Sequence, residues 1–111
     1  MSLFPPFLKW GQYQSKDEKK PDVIKIKVKD HDTFETEFSV NVEVEIYEKN
    51  EWSDINIPLK SHESKNNALL NLWTRATKEG KIKEGDIVFI RTYLGKSRNN
   101  RPIRRFSLAK N

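Results

Sequence analysis

The chain contains no cysteine, one methionine and only four glycines, scattered at positions 11, 80, 85 and 95. Without cysteine there is no disulfide framework, no thiolate metal site and no cysteine nucleophile. Ungrouped glycines exclude a glycine-rich loop that cradles phosphate. No apolar run approaches the roughly 18 residues a bilayer span needs, and the greasy opening from Met1 to Trp10 is broken by Pro5 and Pro6 and carries no basic leader. These absences lead us to expect a soluble, non-secreted, cytoplasmic protein with no membrane contact. Histidine is scarce as well: His31 and His62 each sit in a polar turn with no third ligand at metal spacing, so neither a metal nor another cofactor is expected. Nothing orders a serine, histidine and aspartate into a nucleophile site. We therefore expect no enzymatic activity, the alternative being a metal-dependent nucleic-acid-processing site in which Asp30, Asp32, Asp54 and Asp86 converge in space.

What the chain does have is charge, unevenly placed. Its 111 residues carry a formal net charge of +5. Nine of the 21 basic residues but two of the 16 acidic ones fall between residues 81 and 111, so this third carries about +7 and the first 80 residues about −2. Within Gly95 to Arg105, Lys96, Arg98, Arg101, Arg104 and Arg105 are unopposed by any acid. Four of the five are arginine, whose planar fork binds phosphate bidentately and stacks on bases. A solvated basic hairpin that only aids solubility is the alternative reading.

Periodicity places these charges. Residues 1–21 read as an aromatic arm and polar linker, with Phe4, Phe7, Trp10 and Tyr13 among Pro5, Pro6 and Gly11; the arm either packs its rings on the domain or stays free to dock on a partner. Residues 22–111 form one domain. Val23 to Lys29 alternates Ile24, Ile26 and Val28 with Lys25, Lys27 and Lys29, which predicts a half-buried strand ending in a turn at Asp30-His31-Asp32. A second run from Phe34 to Tyr47 sends Phe38, Val40, Val42, Val44 and Ile46 inward and Glu43, Glu45 and Tyr47 outward. A third strand, Trp52 to Leu59, has Ile55, Ile57 and Leu59 inward, with Pro58 marking an edge. Ser64 caps a predicted helix to about Glu79 with Leu69, Leu72, Trp73 and Ala76 on one stripe, and Gly80 stops it. Two further strands, about Ile87 to Leu94 and Ile103 to Ala109, flank the basic loop. On the fourth, Val88 and Ile90 face the core while Phe89, Arg91 and Tyr93 face out.

Three strands, one helix and two strands, together with Lys81-Ile-Lys-Glu-Gly-Asp-Ile-Val-Phe-Ile entering the fourth strand and a long basic loop after it, resemble the OB-fold family of single-stranded nucleic-acid-binding domains, of the small archaeal and viral type. The resemblance covers about residues 22 to 110. It implies a mainly β protein, a five-stranded barrel in β-β-β-α-β-β order, that binds single-stranded DNA ahead of RNA. One departure bears on the ligand path: the outer face of the second strand, part of that family's usual platform, here carries Glu43 and Glu45, which shifts the expected path toward Trp52 and Tyr47.

Rings beside mobile cations point the same way, because bases stack on aromatics while phosphates draw cations. The expected contacts are Arg91, Lys96, Arg98, Arg101, Arg104 and Arg105 to phosphates, and Trp52, Phe89 and Tyr93 to bases, with little sequence preference. Trp52 has an alternative role as a cover for Phe4 or Phe7. The rival function is a protein–protein or homodimer assembly module that docks through Phe4, Phe7, Trp10 and Tyr13.

Overall fold

In the computed structural model, which describes residues 5–110, the β-rich pattern takes the form of a single antiparallel sheet and one helix. The strands are β1 (Asp22–Glu35), β2 (Ser39–Glu48), β3 (Glu51–Ser61), β4 (Ile87–Lys96) and β5 (Pro102–Lys110), and the helix is α1 (Ala68–Lys78). They lie in the order β3-β2-β1-β4-β5. The long first strand is the hinge of the sheet: its beginning pairs with β4, its end with β2, and Ile26 and Lys27 pair with both. Helix α1 packs against β5 and β3, the two outermost strands, so the sheet curls around its core. Among the described residues, no ladder joins β3 to β5 and the sheet is not closed.

The inward face follows from alternation. Ile24, Ile26, Val28, Val42, Val44, Ile46, Ile57, Leu59, Val88 and Ile90 are buried together with Leu69 and Trp73 of the helix. Burial of each such side chain contributes roughly 1.5–3 kcal/mol relative to exposure. Trp73 is fully enclosed and donates its indole N–H to the His31 carbonyl at 3.0 Å, which ties the helix to β1.

Two bulges shift the pattern from the sequence expectation. Asp30-His31-Asp32 is no turn: β1 runs on to Glu35, with register slips on either side of Asp30, and the reversal falls at residues 36–38. There Thr36 Oγ accepts the N–H groups of Phe38 and Ser39. A further slip between Val40 and Asn41 leaves Leu59 as the extra residue on β3, and Ser39 and Asn41 are buried at this end of β2, where Ser39 Oγ donates to Asn41 Oδ1 at 2.7 Å. Phe38, expected in the core, lies in the reversal ahead of β2 and is 72% exposed. A bulge adds one residue to one strand and exchanges the faces beyond it.

The helix also starts later than expected. Ser64 accepts the Asn66 N–H and Asn66 accepts that of Ala68, a relay of two side-chain turns in place of a single cap. Gly80 ends it at φ +71°, a value that suits glycine.

The arm packs. Phe7 bridges Asn56 in parallel, with Leu8 N–H donating to the Asn56 carbonyl and Asn56 N–H to that of Pro6, both at 2.9 Å. This covers the free edge of β3 beside Pro58. Trp10 then fills the gap between the sheet's two edges: its indole N–H donates to the Pro58 carbonyl at 2.8 Å, and its ring stands edge-on to Phe106 of β5 at 5.0 Å. Further along, Leu94 N–H donates to the Ser15 carbonyl at 2.7 Å. Phe4 lies outside the described residues.

Candidate nucleic-acid interface

Strand β4 shares its inward residues Val88, Ile90 and Thr92 with the core and turns Phe89, Arg91 and Tyr93 outward, as alternation requires. Its neighbours extend these three into rows. Val23 and Ser107 flank Arg91, Lys25 and Ala109 flank Phe89, and Arg105 pairs with Tyr93. Arg91, Tyr93 and Arg105 line a depression of about 660 Å³, with Lys19 and Val23 and a single carboxylate, Glu18. Three cations against one anion in a concave site is an arrangement that concentrates polyanions.

Gly95 has a local job here. A Cβ built on it would lie 3.2 Å from Arg105 Cγ and 3.3 Å from the Tyr93 ring. A residue without a side chain lets the tyrosine and the arginine close over the strand at that point, where a methyl would make both give by a few tenths of an ångström. Arg105 also donates to the Lys96 carbonyl, at a long 3.4 Å.

Beyond Lys96 the chain reverses through residues 97–101. Ser97 N–H donates to the Arg101 carbonyl, Asn100 N–H to the Ser97 carbonyl, both at 2.9 Å, and Asn100 takes φ +60°. Lys96, Arg98 and Arg101 project from this tip into solvent. Among the described residues none of Arg91, Lys96, Arg98, Arg101 or Arg105 is in an ion pair.

Arg104 stands apart from its neighbour. Adjacent strand residues face opposite ways, and Arg104 turns to the seam, donating to the Tyr13 carbonyl at 2.7 Å and to Thr92 Oγ at 3.3 Å. Burial pulls its pKa down and Asp22 opposes that pull. It holds the arm to the sheet.

Trp52 sits at the far end of the same outer face. The turn from β2 to β3 has two residues, Lys49 and Asn50, at φ 52° and 66°, the type I′ geometry that matches strand twist. It sets Tyr47 opposite Trp52, with ring centroids 5.1 Å apart. Lys25 Nζ lies 4.8 Å from the Tyr47 centroid, and Lys27 Nζ 4.6 Å from that of Trp52. Ladder pairs Trp52–Tyr47 and Lys25–Phe89, joined by the Lys25–Tyr47 contact, make a row across four strands, roughly 14 Å at the usual strand spacing. The carboxylates form the next row: Asp54 and Glu45 stand beside Lys27, and Lys29 bonds Asp54 at 3.0 Å, which raises the lysine's pKa.

Lys19, Lys25, Lys27 and Val23 join this face although the sequence alone does not single them out as site residues, and Tyr47 joins it as the expected shift of the ligand path toward Trp52 and Tyr47 requires. Lys25 and Lys27 carry a legible signal, their strict alternation on β1, whereas Lys19 in the preceding linker carries none. Of the four aspartates, Asp54 is held by Lys29 and Asp86 by Lys110 at 2.9 Å, so each has its own lysine. A different group does assemble at the β1 bulge, where ligand atoms of Asp30, His31 and Glu84 lie within 4.8 Å of one another. His31 Nδ1 is buried there without a hydrogen-bond partner. Glu84 comes from the loop before β4, brought near because Gly85 N–H donates to the Val28 carbonyl.

No protein-family model matches this chain, and no curated protein or solved structure matches it with significance. Among the described residues, no helix is long and apolar enough to cross a membrane.

Proposed function

We propose that this chain is a non-enzymatic module that binds single-stranded nucleic acid, DNA ahead of RNA, with low sequence preference. The observation that carries the reading is the convergence of Arg91, Tyr93 and Arg105 on one open depression, with the unpaired cations Lys96, Arg98 and Arg101 on the adjoining hairpin. In this reading the arginines hold phosphates, Tyr93 and Phe89 offer stacking surfaces, and Trp52 extends them along the outer face. The finer reading of the fold goes with it. A curled sheet whose edge strands meet the same helix, with Trp10 wedged between them, supports an OB-like barrel in which the arm fills the seam.

The test is a titration of a fluorescent single-stranded octamer at several salt concentrations. Each phosphate contact adds roughly −0.7 to the log–log slope, so the five solvent-facing cations of β4, β5 and their hairpin give at most about −3.5. Competition with duplex DNA and with RNA of the same sequence ranks the ligands. Absence of binding, or binding indifferent to salt, overturns the reading.

One observation favours the assembly alternative: Phe7 is 41% exposed although the arm around it is docked. Since Trp10 and Tyr13 are tied into the seam, the informative change is Phe7→Ser rather than removal of the arm. A lower oligomeric state with unaltered octamer binding supports a separate assembly surface.

A further inference from the structure

The three lysines that alternate along β1 are not equivalent. Lys29 is fixed by its ion pair with Asp54. Lys25 and Lys27 form no ion pair among the described residues, although Glu45 stands opposite Lys27 on the ladder. Instead their ammonium groups lie against the rings of Tyr47 and Trp52, and Lys25 also reaches to 5.8 Å from the Trp52 centroid. The two rings are thus capped by cations in the free protein. A cation over an exposed ring is held only weakly, and a phosphate offers the same ammonium a full opposite charge.

We propose that Lys25 and Lys27 are displaceable lids over the Tyr47–Trp52 corner: the phosphates of an arriving strand draw them off the rings, and the uncovered rings stack its bases. This rests on the single-strand reading above and deepens it by naming what the corner selects. A polyanionic strand supplies both the phosphate that removes the lid and the base that replaces it. A free uncharged nucleoside supplies only the base and must displace the lysines unaided. Position supports the coupling, because Lys25 is the ladder partner of Phe89 on β4, next to the row that carries Arg91. Charge supports it too: once the lysines turn to phosphate they still screen Glu45 and Asp54, the carboxylates nearest the path.

The experiment follows the Trp52 signal, assigned by comparison with Trp52→Phe, in indole N–H NMR spectra. Adenosine and octathymidylate are titrated separately into the wild type, into Lys25→Thr/Lys27→Thr, which removes the lids while keeping good strand formers, and into Lys25→Arg/Lys27→Arg, which retains them. The threonine variant should bind adenosine at Trp52 about two- to fivefold more tightly, the value of an exposed cation over a ring. The same variant should bind the octamer less tightly, its salt slope smaller by about 1.4 for two lost contacts. The arginine variant should match the wild type on both ligands. Opposite responses to the two ligands are the signature, since a plain phosphate contact leaves adenosine binding unchanged and a structural role weakens both. Unchanged or weaker adenosine binding in the threonine variant overturns the proposal, as does an octamer that binds but leaves the Trp52 signal in place. An octamer that binds nowhere on the protein removes the single-strand reading itself, and this proposal with it.

Discussion

Two adjacent arginines with opposite assignments offer a sharp test of how the β4–β5 ladder divides structure from function. Arg105 shares the outer depression with Tyr93, whereas Arg104 donates to the Tyr13 carbonyl at 2.7 Å and to Thr92 Oγ at 3.3 Å inside the seam. Truncating Arg104 to alanine removes a charge-assisted hydrogen bond to a partly buried carbonyl. Such bonds are worth about 1.5–3 kcal/mol, and because the seam is only part-buried we expect a loss of about 1–2 kcal/mol. For a domain of this size that is a fall in Tm of roughly 4–10 °C. Its effect on the salt slope of octamer binding should be nil. Arg105→Ala should behave in the reverse manner: stability within about 0.5 kcal/mol of the wild type, since the side chain is exposed, and a slope smaller by about 0.7. Thermal and urea denaturation give the Tm and the free energy of each variant, and salt-dependent titration of the same two preparations gives the slopes. If Arg104→Ala flattens the slope and leaves the Tm alone, β5 faces the other way and the site must be redrawn around Arg104.

Three other outcomes follow from the geometry. Gly95→Ala places a methyl within about 3.3 Å of the Tyr93 ring and the Arg105 stem, so it should weaken octamer binding several-fold while costing under about 1 kcal/mol of stability in urea melts. Trp10→Ala should destabilise the domain by about 2–3 kcal/mol, below the full aromatic-to-alanine range because the ring is only half-buried, and chemical denaturation reads it directly. Replacing Lys49-Asn50 by Asn-Gly should raise stability by about 0.5–1.5 kcal/mol, because both residues sit at positive φ where that pair is favoured; an unchanged denaturation midpoint would count against the type I′ assignment.

The legible and illegible parts of this fold separate along a physical line. Ile24, Ile26 and Val28 alternate strictly with lysines, and Val88, Ile90 and Thr92 alternate with Phe89, Arg91 and Tyr93. In such stretches the two-residue period alone assigns every face, and the structure agrees. Where a bulge intervenes, period loses its meaning. The three extra residues of β1 between Val28 and Phe34 and the slip at Val40/Asn41 depend on how neighbouring strands align, and no local composition marks them, so the period ends β1 too early and puts Phe38 in a strand when it lies in the reversal. The divergence of Arg104 and Arg105 is hidden for a related reason. Assigning them needs the register of β5 against β4, which the conformation of a five-residue tip determines. Tyr47 opposite Trp52 is within reach, since a two-residue turn fixes that pairing, but Lys-Asn lacks the usual Asn-Gly signature. The seam contacts of Trp10 and Tyr13 join residues so distant in sequence that local pattern carries no trace of them.

Those seam contacts carry a consequence for how the molecule is made. Trp10 reaches its acceptor 48 residues later, and the Tyr13 carbonyl receives Arg104 from 91 residues away. On the ribosome, the segment around Trp10 therefore emerges well before either of the strands it clasps. It waits, rings unsheltered, until β3 and β5 have been synthesised. The earliest part of the domain to be translated can therefore complete its latch only once β3 and β5 are available to receive it.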